Sequence, residues 1–371
     1  EAEKTLIAEA EPLIAEAGFG KGEWTQLFGL MDVLNSEITY PQAIGFPVLS
    51  PYVMVSHGDK IVFERNPYYF KVDAAGNQLP YIDRIESTWV QDLEMLNLKI
   101  LSGEIDHSYE YATVQKAPLL KENEQKGGYK LYINSLHRTA NDIHLNLTYD
   151  DPVWRQVVRD VRFRKALNLA LDKQEISDTL FLGFSKPAEI QGTERDLEEA
   201  NRLLDEMGLA KGRNGFRNGP DGKPFVIPFE ISTANADFAP LAELITEQWK
   251  EIGIQVTVKS IDSALWGTRN SANALQATIQ FTPGPVQWAR HEWGQNIWAP
   301  LWEQWWSSGG TKGEEPPQEV KDLFQSIFQL RELSLEEALK KRDDIKKSFA
   351  ENYWYFIHTQ DIPAPVAVNA K

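Results

Sequence analysis

Paired carboxylates are the residues of this sequence that come nearest to a catalytic pattern. Glu104 and Asp106 stand two positions apart in the segment SGEID, and glycosidases use two carboxylic acids about 5–9 Å apart across a sugar. The same spacing is typical of a turn that ends a helix, with both carboxylates in solvent. One pair among 54 acidic residues specifies little. The turn is therefore the preferred interpretation, and glycoside hydrolysis stays open as an alternative.

Other catalytic and cofactor-binding patterns do not occur in the sequence. The motifs GxGxxG, GxxxxGK[ST] and GxSxG are missing, and the absence of cysteine removes thiolate catalysis, zinc–thiolate sites and disulfides. Metal-ligand spacing such as HxxxH is not found among the histidines, which are His57, His107, His137, His144, His291 and His358. The sequence predicts no enzyme, no metal site and no cofactor.

Tryptophan is concentrated in one part of the chain. Seven of the 12 tryptophans lie between residues 266 and 306, at 266, 288, 293, 298, 302, 305 and 306. Indole rings pack in protein cores, and they also stack on sugar faces or peptide side chains inside a cleft. Both interpretations are open for these residues.

The composition limits the class of protein. The chain has 371 residues, 42% of them hydrophobic and 25% charged, which is typical of a globular protein with two domains. The net charge of −16 opposes binding to nucleic acid or to an anionic membrane. No run approaches the ~18 apolar residues of a membrane-spanning helix.

The opening EAEKTLIAEAEPLIAEAG predicts a helix over 3–17 and lacks the features of a signal peptide.

Strands and helices alternate along the chain. The segments at 60–65 and 83–90 predict strands joined by a turn-rich loop. Asp172 and Asp196, each followed three residues later by glutamate, predict helix starts. Residues 225–262 read as strand, helix and strand, and therefore as a parallel βαβ unit.

Three expectations concern the second half of the chain. The tryptophan-rich segment 266–310 shows no helical periodicity, so we expect irregular structure there. Two charged helices are predicted at 317–332 and 335–352. The apolar, proline-marked end of the chain predicts a strand that returns to an earlier sheet.

Three ordered motifs carry a resemblance to a known family. ERNPYYFKVDAAGNQLPYIDRI (64–85), LSGEID (101–106) and DVRFRKALNLALDKQEI (160–176) resemble the family 5 extracellular solute-binding proteins, which include oligopeptide- and dipeptide-binding proteins of ABC importers. LEEANRLLDEMGL (197–209) is a further match. The resemblance extends over nearly the whole chain from about residue 20.

The resemblance implies an α/β, two-lobed fold like that of periplasmic binding proteins (type II, cluster C), with mixed sheets and a hinge. Two segments near 141–147 and 354–362 are expected to cross between the lobes. Lobe I would contain residues 1–144 plus 356–371 and would be incomplete at its amino-terminal side. Lobe II would contain residues 145–355.

The implied function is the capture of a solute between the lobes and its delivery to a membrane permease, which needs no cofactor or catalytic group. The resemblance further implies a monomer in the periplasm or outside the cell, with its signal peptide removed and a lipid anchor at an amino terminus that this chain lacks. A sensory binding protein that presents its closed form to a receptor is an alternative, as is the secreted hydrolase.

The choice of solute depends on one departure from the peptide-binding members. In those members an aspartate in a segment like WxxDYxxP pairs with the ammonium group of the peptide. The matching segment IQFTPGPVQW (279–288) has no acidic residue. A desolvated ammonium without a partner costs several kcal/mol. An oligosaccharide or sugar-derived solute is therefore favoured over a peptide.

Indole rings and planar polar groups surround this segment and suit the faces and hydroxyls of sugars. The residues expected to bind the solute are Trp266, Gln280, Phe281, Trp288, Arg290 and Trp293.

Overall fold

The computed structural model describes residues 10–36, 44–45, 48–90, 92–108, 113–135, 141–280, 282, 294–330 and 332–370. The chain divides into two compact units, Glu1–Asp92 and Leu93–Lys371. The predicted lobe boundaries at residues 144 and 356 remain a prediction.

The first unit contains an antiparallel sheet. Its strands β1 (Tyr52–His57), β2 (Lys60–Arg65) and β3 (Arg84–Thr88) pair in sequence order, which confirms the predicted strand, long loop and strand. Two helices precede the sheet, α1 at residues 10–16 and α2 at Trp24–Ser36. The predicted opening helix is confirmed from residue 10, and its earlier part lies outside the described residues.

Helices alternate with strands in the second unit. The helices are α3 (Leu93–Leu101), α4 (Ala117–Glu122), α5 (Glu124–Gly127), α6 (Pro152–Val158), α7 (Val161–Ala170), α8 (Lys173–Phe181), α9 (Leu197–Glu206), α10 (Phe238–Glu251), α11 (Ser263–Ser271), α12 (Gln295–Trp298), α13 (Pro300–Ser307), α14 (Gln318–Gln329) and α15 (Leu335–Asn352). A 3₁₀ turn at Val114–Lys116 directly precedes α4.

The predicted helix starts follow from side-chain caps. The Asp172 carboxylate accepts a hydrogen bond from Glu175 N at 2.8 Å, and that of Asp196 accepts one from Glu199 N at 2.9 Å. These caps satisfy backbone N–H groups that have no partner inside the helix. The predicted starts of α8 and α9 are confirmed.

The main sheet of the second unit has four strands in the order β6 (Asp142–Leu145), β10 (Ala277–Gln280), β8 (Val226–Ser232) and β9 (Gln255–Ile261). Strands β10, β8 and β9 are parallel to one another, and β6 is antiparallel to β10. Helix α10 connects β8 to β9 and buries an apolar stripe that includes Leu241, Ile245 and Trp249. The predicted βαβ unit is confirmed.

Two smaller sheets bring distant parts of the second unit together. The last strand β12 (Pro363–Asn369) lies between β4 (His107–Ser108) and β5 (Tyr129–Ser135). Strand β7 (Lys186–Pro187) pairs with β11 (Thr359–Gln360). The predicted return of the chain's end to an earlier sheet is confirmed.

The expectation of irregular structure over 266–310 was wrong for the described residues, which exclude 281 and 283–293. Helices α11, α12 and α13 lie there, because Asp262 caps α11 by accepting from Leu265 N at 2.9 Å and Pro300 begins α13. Trp298 and Trp302 are buried, and Trp298 stacks on Trp354 with 5.2 Å between ring centroids. For these tryptophans the core interpretation holds.

Within the described ranges, no helix combines the length and apolarity that crossing a membrane requires.

Candidate functional site

The parallel strands β8, β9 and β10 end on one side of the main sheet, here called the carboxyl edge, at Ser232, Ile261 and Gln280. The antiparallel strand β6 begins at this edge, where Asp142 pairs with Gln280. Helices α10 and α11 start beyond the ends of β8 and β9. Ligands of open α/β sheets bind outside the carboxyl ends of parallel strands, so this edge is the candidate site.

Two of the predicted binding residues belong to this edge. The indole Nε1 of half-buried Trp266 donates to Thr278 Oγ1 at 2.8 Å, and the Thr278 hydroxyl donates to the backbone oxygen of Glu230 at 2.7 Å. Residues two apart in a strand share a face, so Thr278 and Gln280 lie on one side of β10. The structure therefore brings Trp266 and Gln280 to the same part of the molecule.

The other four predicted binding residues lie outside the described residues. They are Phe281, Trp288, Arg290 and Trp293. They follow Gln280 directly in the chain, but their role in binding remains a prediction.

Hydroxyl and amide groups accompany Trp266 at the carboxyl edge. The Ser232 and Ser263 hydroxyl oxygens are 3.1 Å apart, and Asn235 Nδ2 donates to Asn141 Oδ1 at 3.3 Å. Sequence reasoning missed these residues. The signal that could have found Ser232, Asn235 and Ser263 is their position at or soon after the strand ends of the predicted βαβ unit, where parallel strands place polar groups at one edge. Asn141 precedes β6, outside that unit.

A buried cluster of polar side chains lies behind the edge. The Thr282 hydroxyl donates to the Asp142 carboxylate, and the His144 and Tyr355 rings pack with 4.9 Å between centroids. Burial lowers the pKa of His144 to about 3 and raises the pKa of the Tyr355 hydroxyl well above its ordinary value. His144 is therefore uncharged at neutral pH and serves as packing.

The Asp237 carboxyl group at this edge has a shifted pKa. Burial raises its pKa to about 6, although hydrogen bonds with the Gln115 and Asn141 amides act in the opposite direction. The native protein holds this proton more tightly than the unfolded chain does. The stabilisation from the protonated form is complete below about pH 4 and is lost as pH rises through 6.

We expect Asp237→Asn to abolish this pH dependence. The variant should unfold like the parent near pH 4 and be about 1–3 kcal/mol more stable at pH 7.5, because the amide never ionises. Urea unfolding across this pH range measures the difference. Asp150→Asn is the control, since the Asp150 side chain is 96% exposed and its replacement should change stability by no more than about 0.5 kcal/mol. An equal effect of Asp237→Asn at pH 4 and 7.5 would contradict the assignment.

The two predicted crossing segments lie side by side. Ile143 N donates to Phe356 O at 3.1 Å, and Phe356 N donates to Ile143 O at 2.9 Å. A ring nitrogen of His358 lies 2.9 Å from Asn141 O, and burial lowers the pKa of His358 to about 4. This uncharged histidine adds a third bond between the segments beside the candidate site.

The carboxylates first considered for hydrolysis are engaged elsewhere. Glu104 accepts hydrogen bonds from Lys99 Nζ and Ser102 Oγ, both at 2.9 Å. Asp106 accepts from Asn369 Nδ2 at 2.7 Å. Both residues belong to the turn after α3 and to the contact of that turn with β12, as the turn interpretation predicted. Among the described residues, the carboxyl edge offers hydroxyl, amide and indole groups together with the carboxyl groups of Asp142 and Asp237, and groups of these kinds line ligand-binding sites.

Comparison with known proteins identifies the class further. Residues 35–314 match the model of the bacterial extracellular solute-binding proteins, family 5 Middle. The chain belongs to this family, as the sequence resemblance predicted. Members of the family bind solutes outside the cytoplasm and are not defined by catalysis.

Individual relatives bind different solutes. The periplasmic alpha-galactoside-binding protein of Rhizobium meliloti (strain 1021) is 29% identical over 279 residues, which are 62% of this chain and 37% of that protein. The oligopeptide-binding protein OppA of Lactococcus lactis subsp. lactis (strain IL1403) is 25% identical over 349 residues, which are 84% of this chain and 52% of that protein. The chain thus spans between about a third and a half of these relatives.

A solved structure supports the fold assignment. The periplasmic binding protein MelB of Agrobacterium fabrum C58, in complex with stachyose, superposes with a TM-score of 0.69 at 20% identity, over 89% of this chain and 54% of that one. The predicted α/β fold of periplasmic binding proteins, with mixed sheets, is confirmed.

Proposed function

We propose that this chain is part of a solute-binding protein that captures an oligosaccharide, of the α-galactoside class, and delivers it to an ABC permease. The carboxyl edge carries the proposal. Trp266 is held by Thr278 with part of its ring accessible, and serine and asparagine side chains lie at the ends of the neighbouring strands. Indole faces stack on sugar C–H groups, and hydroxyls and amides bond to sugar hydroxyls.

An oligosaccharide fits this edge better than a peptide with a free amino terminus. The segment from Phe281 to Trp288 contains no acidic residue, so it offers no carboxylate for an ammonium group. A relative that binds α-galactosides and a similar structure in complex with stachyose support the same solute class. The peptide-binding relatives make peptides the second candidate.

The proposal is one of binding without turnover, through closure of two lobes. In this proposal lobe I (residues 1–144 plus 356–371) and lobe II (145–355) close around the sugar by a hinge at the paired segments 141–147 and 354–362. The main-chain bonds between Ile143 and Phe356 would keep these segments together during closure. The protein acts as a monomer in the periplasm or outside the cell, held there by a lipid anchor, and needs no cofactor.

Titration calorimetry of the full chain against stachyose, raffinose and melibiose, with tri- and tetrapeptides in parallel, tests the proposal. We expect saturable binding of at least one galactoside without release of monosaccharide, and no binding of the peptides. Binding of peptides alone would overturn the sugar assignment, and cleavage of the sugar would overturn the assignment as a binding protein.

Trp266→Ala is expected to weaken binding of the galactoside by about 10-fold or more, because a stacking surface is removed from the site. The matched control is Trp305→Ala, which removes a half-buried indole on α13 that lies under Lys321. The control should bind the sugar with unchanged affinity. If the two variants bind the sugar with equal affinity, Trp266 does not contribute to sugar binding.

A further inference from the structure

A cavity of about 420 Å³ lies at the edge of the main sheet opposite to the carboxyl edge. Its wall includes Leu147, just beyond the end of β6. Since β6 runs antiparallel to β10, it enters the sheet at the carboxyl edge and leaves it at the other edge. The five residue steps from Asp142 to Leu147 span about 16 Å. This distal cavity is therefore separate from the proposed sugar site.

Two arginine side chains lie on two indole rings in the wall of the distal cavity. The Arg159 guanidinium carbon is 4.8 Å from the ring centroid of Trp302, and that of Arg164 is 5.2 Å from the ring centroid of Trp354. Both tryptophans are buried. The buried indole rings thus hold the two guanidinium groups in place in the wall.

Arg164 is a buried cation with unused hydrogen-bonding capacity. Its residue is only 3% exposed, its Nε donates to Asn352 O at 2.8 Å, and its Nη1 donates to Val158 O at 2.7 Å. A guanidinium has five N–H groups. The ion pairs of the described part of the chain do not include Arg164, and Glu319 and Asp160 act on it at longer range. A buried cation of this kind favours an anionic partner.

Arg159, the other arginine of the cavity wall, already has a carboxylate partner. Glu314 accepts from Arg159 Nη2 at 2.7 Å and lies 2.8 Å from Arg155 Nη1, and Trp302 Nε1 donates to it at 3.2 Å. Glu315 pairs with Lys321. Among the described residues that line the cavity, Arg164 is therefore the cation without a close carboxylate, and exposed Glu319 lies at the rim.

We propose that the distal cavity binds a small organic carboxylate, whose oxygens accept hydrogen bonds from Arg164 and whose apolar body lies against Leu147 and Pro317 of the cavity wall. A guanidinium matches a carboxylate in charge and in planar geometry. The volume of the cavity falls in the range of small-molecule sites. The ligand class is defined by a negative charge on an apolar body, so an uncharged analogue of equal shape provides a direct comparison.

The test uses the full chain with phenylacetate, and with phenylacetamide as the uncharged analogue. We expect saturable binding of phenylacetate by calorimetry and saturation-transfer NMR, and at least 10-fold weaker binding of the amide. Saturating stachyose should leave the phenylacetate affinity unchanged, because the two sites are separate. No binding of phenylacetate, equal binding of the amide, or competition by stachyose would each overturn the proposal.

Two substitutions test the charge argument. Arg164→Gln should weaken phenylacetate binding at least 10-fold, with folding verified by circular dichroism. Because this residue is buried, the exposed Glu319→Gln provides an independent test and should tighten phenylacetate binding about 2- to 5-fold by removing a negative charge from the rim. Glu332→Gln is the control for Glu319→Gln. Residue 332 lies just past the end of α14, about 20 Å from residue 319, so this variant should leave the affinity unchanged. Unchanged or weaker binding in Glu319→Gln would count against an anion site.

Discussion

Replacing Arg217 by methionine is expected to lower the free energy of unfolding by about 3–5 kcal/mol. The Arg217 guanidinium is buried and donates to the backbone oxygens of Ile252 at 2.8 Å and Leu209 at 2.6 Å. It also donates to Asp205 Oδ1 at 2.6 Å and to Asn201 Oδ1 at 2.8 Å. Methionine keeps the apolar stem but leaves the two buried carbonyls without donors, each of which costs about 1–3 kcal/mol.

Urea unfolding followed by tryptophan fluorescence and far-UV circular dichroism measures this loss. Arg213→Met is the matched control, because Arg213 is an exposed arginine of the same turn-rich segment and its replacement should change stability by no more than about 0.5 kcal/mol. If the two variants unfold at the same urea concentration, Arg217 does not join α9 to the end of α10 as the structure indicates.

Gly313→Ala is expected to lower the free energy of unfolding by about 2–5 kcal/mol. Gly313 has a φ of +80°, which costs a residue with a Cβ about 1–2 kcal/mol. Its Cβ would also lie 2.2 Å from Leu301 O and 2.7 Å from Trp305 N, both of which are backbone atoms of α13. The helix or the loop must therefore move, and with it Glu314, whose N–H donates to Leu301 O at 3.0 Å.

Gly222→Ala separates the two costs. Gly222 has a φ of +77°, but its Cβ would have no atom within 4 Å, so its replacement by alanine should show the backbone cost alone, about 1–2 kcal/mol. Comparison of the two melting curves then gives the steric cost at Gly313. Equal losses of stability would mean that the loop around Gly313 relaxes without resistance.

Local signals in the sequence were sufficient for much of the fold. Asp172 and Asp196 marked helix starts because capping needs only a carboxylate three residues before a backbone N–H. The βαβ unit followed from strand and helix periodicities in one continuous segment. The helices between 263 and 307 were missed because they are short, although Asp262 and Pro300 are local start signals for α11 and α13.

The site was predicted less completely than the fold. Trp266 and Gln280 were named from the tryptophan-rich segment and lie at the carboxyl edge, whereas Asn141, Asn235 and Asp237 were missed. These residues come from parts of the chain separated by about a hundred positions. Their proximity depends on which strands pair, and periodicity within one strand does not reveal its neighbours.

The sequence by itself determined the family, the βαβ unit, the capped helices and the returning terminal strand, because motifs and local backbone hydrogen bonds specify each of them. Only the tertiary structure decided that β10 lies between β6 and β8, and therefore which polar groups meet at the carboxyl edge. It also decided the burial of His144, Asp237 and Arg164. Protonation and unused hydrogen-bonding capacity depend on the surroundings of a side chain, and packing creates those surroundings.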